Sequence, residues 1–247
     1  IVSAFNDYFL DVWPLREEKR LRLAMTVTVQ DPRAAAAEIR RVGKRPEVAA
    51  IFMPLINILI GNRYYEPIYE AAADMGLPIL MHVTGTDSVY YGAPNQAGGW
   101  PENYSERYVS LSQIGEANLV SLCFSGVFEK FPTLKFMFVE YSFAWALPLM
   151  WRINRTWESL RWDTPWVKRP PREYVRERVR FSTQPLDEPE DPAHLKQLID
   201  MFGPEHLLFA TDYPHWDNDM PGASLLMLDP AVRRQIMSEN PQKILRL

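Results

Sequence analysis

Three apolar runs in this 247-residue chain each end on a side chain able to bind a metal ion or move a proton. Leu77-Pro78-Ile79-Leu80-Met81 runs into His82, and Leu134-Lys135-Phe136-Met137-Phe138-Val139 runs into Glu140. Leu207-Leu208-Phe209-Ala210-Thr211 runs into Asp212, with His215 three residues further on. A continuous hydrophobic run is the mark of a strand buried on both faces. In a parallel barrel, the residues at the C-terminal ends of such strands face the substrate. Imidazole and carboxylate at that position suit a catalytic divalent ion, which keeps one coordination site open and lowers the pKa of bound water to about 7. Each group also has a purely structural reading. His82 would then be a hydrogen-bonded core histidine, Asp212 the cap of a turn, Glu140 the partner of an arginine such as Arg152, and His215 a loop hydrogen-bonder. His194, inside a capped helix, and His206, just before the last strand, are expected at the surface.

The elements that must position these groups alternate along the chain. Strands are predicted to begin near residues 21, 48, 78, 135, 179 and 207, from alternating or continuous apolar runs. Helices are predicted over 2–12, 31–43, 64–75, 104–131, 142–162, 172–178, 191–202 and from Asp229 to about Asn240. Asp31-Pro32 and Asp191-Pro192 supply an N-cap followed by proline at the first helical position, and Gly76 supplies a C-terminal stop. Strands alternating with helices argue for an α/β fold with a parallel sheet. A Gly-rich phosphate loop after an early strand would mark a doubly wound sheet, and none is present. The expected architecture is a (β/α)8 TIM-type barrel, forming a single domain over residues 1–247. A closed barrel needs eight strands, six are counted, and the chain opens on a helix at Ile1 rather than on a Met. Two strands are therefore expected upstream, in the roughly 60–100 residues that two β/α units require.

Composition narrows the function. The chain is 47% hydrophobic and 23% charged, with a net charge of −4 and no basic face of the kind nucleic acid needs. One cysteine, Cys123, forbids an internal disulfide and suits a reducing, cytoplasmic setting. No stretch has the roughly 18 uncharged apolar residues of a membrane span, and no signal peptide is visible. Residues 84–103 form a long Gly- and Pro-rich loop of the kind that serves as a lid or binding loop. Its Tyr90, Tyr91 and Trp100, with Trp145, Tyr213 and Trp216 near strand ends, would make an aromatic pocket for a planar organic acid. The eight tryptophans and this long loop also suit a homo-oligomer.

The segments LPILMHVTG (77–85), FPTLKFMFVEYSFAWALPLMWRI (131–153), FGPEHLLFATDYPHWD (202–217) and ENPQKILRL (239–247) resemble the amidohydrolase-related family. This is the branch of metal-dependent TIM-barrel enzymes that includes aminocarboxymuconate semialdehyde decarboxylase. The resemblance covers essentially the whole chain, and it implies one divalent ion, zinc before manganese. His82 and Asp212 would be metal ligands carried by the fifth and eighth strands of such a barrel. Two features depart from that pattern. The first-strand His-x-His pair is absent, since the histidines are His82, His194, His206 and His215. Glu140 stands where the decarboxylases carry a histidine.

With an ion present, Asp212 could both ligate it and take a proton from its bound water. Glu140 could serve as ligand, base or orienting partner, and His215 could protonate a leaving group. The leading expectation is a metal-dependent hydrolase of a small cyclic or aromatic acid, amide or ester. A non-oxidative aromatic-acid decarboxylase is the alternative. A metal-free barrel acting as a binding or structural subunit is the third reading.

Overall fold

Leu23–Thr26 (β1), Val48–Met53 (β2), Ile79–His82 (β3), Phe136–Val139 (β4), Val179–Ser182 (β5) and Leu207–Leu208 (β6) form one parallel sheet in the order β1-β2-β3-β4-β5-β6. The computed structural model describes residues 1–12, 17–83, 99, 101–245 and 247. All six strands fall where the apolar runs place them. The order never reverses, so there is no switch point of the kind that defines a doubly wound sheet. With the right-handed crossovers that are the rule between parallel strands, such an order puts the connecting helices on one face, the arrangement of a (β/α) barrel wall. Among the described residues no pairing joins β6 to β1.

Period-two alternation sorts the strand residues into two cores. Met25, Ile51, Met53, Ile79, Met81, Phe136, Phe138, Val179 and Phe181 belong to the large cluster shared with the helices. Ala50, Met137 and Leu208 face the other way and form a smaller cluster with Ile244, against which Ala24, Leu80, Val139 and Leu245 pack. His82, two residues past Leu80, shares this inner face. The register aligns His82 with Val139, so the ends of β3 and β4 are adjacent and level.

The helices follow the predicted caps. In Pro32–Val42 (α2) the Asp31 carboxylate accepts from the Arg33 and Ala34 amides, and Glu66–Met75 (α3) closes on Gly76 at φ 64°. The single helix predicted over 104–131 is instead three: Tyr104–Val109 (α4), Leu111–Ser125 (α5) and Val127–Lys130 (α6). Gly126 takes φ 83°, which stops α5 as a left-handed cap. Ala146–Ser159 (α7) starts later than the predicted residue 142, because Ser142 has φ 56° and cannot be helical. Pro171–Arg178 (α8) and Pro192–Phe202 (α9) flank β5. The last helix does not end near Asn240: Pro230–Arg234 (α10) passes through a π-type turn at Gln235–Glu239 into Asn240–Leu245 (α11). Continuing it lets Ile244 and Leu245 close the inner cluster, while the Asn240 carboxamide donates to the Pro204 and Leu207 carbonyls at 2.7 and 2.8 Å.

At the other end, Val2–Asp11 (α1) lies against β1. The buried Asn6 carboxamide donates to the Thr26 carbonyl at 2.9 Å and accepts from the Thr26 amide at 3.0 Å. It also donates to Glu38, whose carboxylate takes two further bonds from Arg41, at 2.7 and 2.8 Å. Among the described residues no helix is long and apolar enough to cross a membrane.

Candidate active site

Two of the strand-end acids sit in strained backbone. Glu140 has φ 65° and Asp212 φ 53°, in the left-handed region that costs a non-glycine residue on the order of 1–3 kcal/mol and that clusters at functional sites. The turn at Glu140 is held by its amide, which donates to Ser182 Oγ at 3.0 Å across the β4–β5 step. The Ser182 hydroxyl in turn donates to the Gln184 carbonyl at 3.0 Å.

The four predicted groups form two imidazole–carboxylate pairs. His82 Nε2 lies 2.7 Å from Glu140 Oε2, and Nδ1 faces the Val83 carbonyl. Burial alone would lower the His82 pKa, but the Glu140 carboxylate, the Val83 carbonyl and the charge of Asp212 together hold it above the ordinary value. His215 Nδ1 lies 3.2 Å from Asp212 Oδ2 and contacts Asp217 Oδ1 as well. Burial and the charge of Glu140 raise Asp212, against the opposing pull of His215. The pairs therefore feel one another's charge.

Three further residues complete the cluster. Asp217, with a side chain 12% exposed, accepts from His215 Nδ1, from the Tyr108 hydroxyl and from Gln184 Nε2 at 3.2 Å. These hydrogen bonds outweigh its burial and keep the carboxyl below its usual pKa. Tyr108 stacks on the His215 ring at 6.3 Å and 26°, and packs against Trp216 at 5.2 Å. Tyr104 stacks on Tyr108 in turn, so an aromatic wall flanks the second pair. Sequence reasoning missed Asp217, Gln184 and Tyr108. The first two had a signal, since Gln184 closes the β5 run as Asp212 closes the β6 run, and Asp217 is the second acid of Asp-Tyr-Pro-His-Trp-Asp.

The remaining predicted positions are dispersed. Trp145 packs against Phe138 and Phe181 on the helix side of the sheet and donates to the Tyr141 carbonyl at 2.7 Å. Tyr213 is exposed to solvent. Tyr90, Tyr91 and Trp100 lie outside the described residues. His194 is exposed as expected, but His206 is not at the surface: it is 6% exposed, edge-on to Phe202, with Nε2 3.3 Å from Glu205 and Nδ1 buried and without a hydrogen-bond partner among the described residues. Two outer grooves of 650 and 790 Å³, lined by Arg63, Glu66, Lys130 and Phe131, contain none of the strand-end groups.

Among the described residues, Asp212, His215 and Asp217 are the group of three whose ligand atoms all lie within 4.8 Å of one another, a candidate metal site. The family model described as Amidohydrolase matches residues 2–247. The chain belongs to the amidohydrolase family. No curated protein sequence matches it. Among solved structures this amidohydrolase resembles amidohydrolase map2389c from Mycobacterium avium subsp. paratuberculosis K-10, with a TM-score of 0.78, 22% identity and 99% of this chain covered. It spans 63% of that protein's length. It also resembles 5-carboxyvanillate decarboxylase from Sphingomonas paucimobilis (TM-score 0.73, 21% identity, 100% of this chain and 72% of that one). A third likeness is to dihydroxybenzoic acid decarboxylase from Polaromonas sp. JS666, with bound manganese and 2-nitroresorcinol (TM-score 0.74, 20% identity, 99% and 75%). The amidohydrolase fold thus accounts for the parallel sheet, and two of the solved decarboxylases with that fold contain manganese.

Proposed function

We propose that this chain is the catalytic part of a divalent-metal-dependent lyase that removes CO2 from a small aromatic acid. The observation that carries this reading is the convergence of two imidazole–carboxylate pairs at the ends of β3, β4 and β6, beside a wall of aromatic rings. The decarboxylases among the structural neighbours support the same chemistry.

The donor set fits an ion. The Val83 carbonyl takes the Nδ1 proton of His82, which leaves Nε2 as the ligand atom. Asp212 is met by His215 and Gln184 at Oδ2 alone, whereas both Asp217 oxygens already accept from protein donors. We therefore assign His82 and Asp212 as ligands, with a Glu140 oxygen, 2.7 Å from His82 Nε2, as a third donor. When bound, the ion would anchor substrate carboxylate or hydroxyl oxygens as a Lewis acid. The protein's own groups do the rest. Tyr108 and Trp216 offer rings against which a planar substrate can lie. Loss of CO2 leaves a ring carbon that needs a proton, and Glu140 and His215 are the groups placed to hold one.

Hydrolysis of an aromatic amide or ester is the second reading. It is favoured by Glu140 itself, a carboxylate where the decarboxylating relatives resembled in sequence carry histidine, and so suited to take a proton from water. The two separate in one assay. With Mn²⁺ or Zn²⁺ supplied, CO2 release from 5-carboxyvanillate and 2,6-dihydroxybenzoate is measured beside hydrolysis of the corresponding amides and esters. CO2 release is the expected result, and hydrolysis without it would replace the lyase reading by the second one.

A further inference from the structure

Asp217 gathers donors from three separate elements. Tyr108 comes from α4, Gln184 from the segment after β5, and His215 from the loop that follows β6. Gln184 Nε2 also reaches Asp212 Oδ2 at 3.4 Å, so one carboxamide spans both acids. Tyr108 restrains His215 twice: its ring stacks on the imidazole, and its hydroxyl holds the carboxylate that the imidazole contacts. Both carboxylates meet His215 at Nδ1, so Nε2 is the ring nitrogen that neither engages. A ring fixed in plane by stacking and in tautomer by a carboxylate on one nitrogen presents the other nitrogen in a single direction.

We propose that Tyr108 and Asp217 are positioning residues that clamp His215 with its proton on Nδ1 and its Nε2 lone pair directed away from the acids. Asp217 is then a partner of the imidazole and not a metal ligand. The proposal deepens the reading of His215 as an acting group in the proposed function, and it is tested by a measurement that needs no turnover.

The experiment records long-range ¹⁵N–¹H NMR spectra of the histidine rings in the full chain without added metal, at alkaline pH where the rings are neutral. Wild type is expected to show His215 as the Nδ1–H tautomer. Asp217→Ala, which leaves Nδ1 only the longer 3.2 Å contact to Asp212, shifts it toward Nε2–H, and Asp217→Asn, which keeps one acceptor oxygen, retains Nδ1–H. Tyr108→Phe, which keeps the ring but loses the hydroxyl, moves the population part of the way and serves on its own if Asp217→Ala does not fold. With Mn²⁺ and substrate, kcat falls roughly 10–100-fold in Asp217→Ala, the range found for groups that orient a site residue. KM stays within about threefold, as expected when an interaction specific to the transition state is lost. An unchanged tautomer in both Asp217→Ala and Tyr108→Phe overturns the clamp. So does a loss of Mn²⁺ affinity in Asp217→Ala as large as that in Asp212→Ala, which would make Asp217 a ligand. If wild type turns over neither class of substrate, the proposed function fails while the NMR result still decides the clamp.

Discussion

The His82 imidazole depends on a backbone oxygen for its usefulness. With Nδ1 turned to the Val83 carbonyl, Nε2 can reach the Glu140 carboxylate or an ion. His82→Ala and Asp212→Asn are therefore expected to weaken Mn²⁺ binding by roughly 100-fold or more, above the 10–100-fold typical of an orienting partner, as read by titration calorimetry. Glu140→His, the residue type that the family resemblance implies for a decarboxylase, should raise CO2 release relative to hydrolysis in the paired assay. An unchanged ratio would mean that residue 140 does not select the reaction. That His82, Glu140, Asp212 and His215 lie together was legible in the sequence because each closes an apolar run or lies within one turn of its end. Tyr108 was not, since it sits mid-helix among Tyr104, Arg107 and Val109, where nothing in the spacing separates a packing tyrosine from one that reaches an acid. The burial of His206 was hidden for a similar reason: a histidine before a strand looks exposed until Phe202 and β6 close around it.

At the scale of elements, the strands were readable because they are continuous or alternating apolar runs, and β2, β4 and β6 hold no polar residue to confuse the period. Helix limits were less so where backbone conformation, not hydrophobicity, decides them. Ser142 and Gly126 end or delay helices through positive φ, which a helical pattern does not register. One glycine matters through contact. A Cβ on Gly115 in α5 would come within 2.8 Å of the Trp145 ring and 3.2 Å of the Tyr141 ring. Gly115→Ala should push both aromatics against the turn that holds Glu140 and cost about 1–3 kcal/mol, the range for overpacking, measured by urea unfolding. A concurrent loss of activity would show that the turn at Glu140 is set by this packing.

For the whole molecule, two buried groups weaken the fold as pH falls, and they act in different windows. Burial and the neighbouring Arg180 hold His206 down at about 4, so the folded protein binds fewer protons than the unfolded chain as pH falls below the ordinary histidine range near 6.5. Stability is then lost from about pH 6.5 down to about 4. Glu38, paired with Arg41, is held at about 2, so its contribution is complete above the ordinary glutamate value and is lost as pH falls through about 4 toward 2. Asp219, raised to about 6, acts in the opposite sense within the first window, so the test is a difference: His206→Phe should lose less melting temperature than wild type between pH 6.5 and 4 and the same amount below it.

The carboxamide of Asn6 works as a rivet. It answers both the amide and the carbonyl of Thr26 and also reaches Glu38, so a single side chain fastens α1 and α2 to β1. Buried donors and acceptors left without partners cost about 1–3 kcal/mol each. Asn6→Leu, close in size but mute to hydrogen bonding, should loosen that fastening, and faster amide hydrogen exchange at Thr26 would register it.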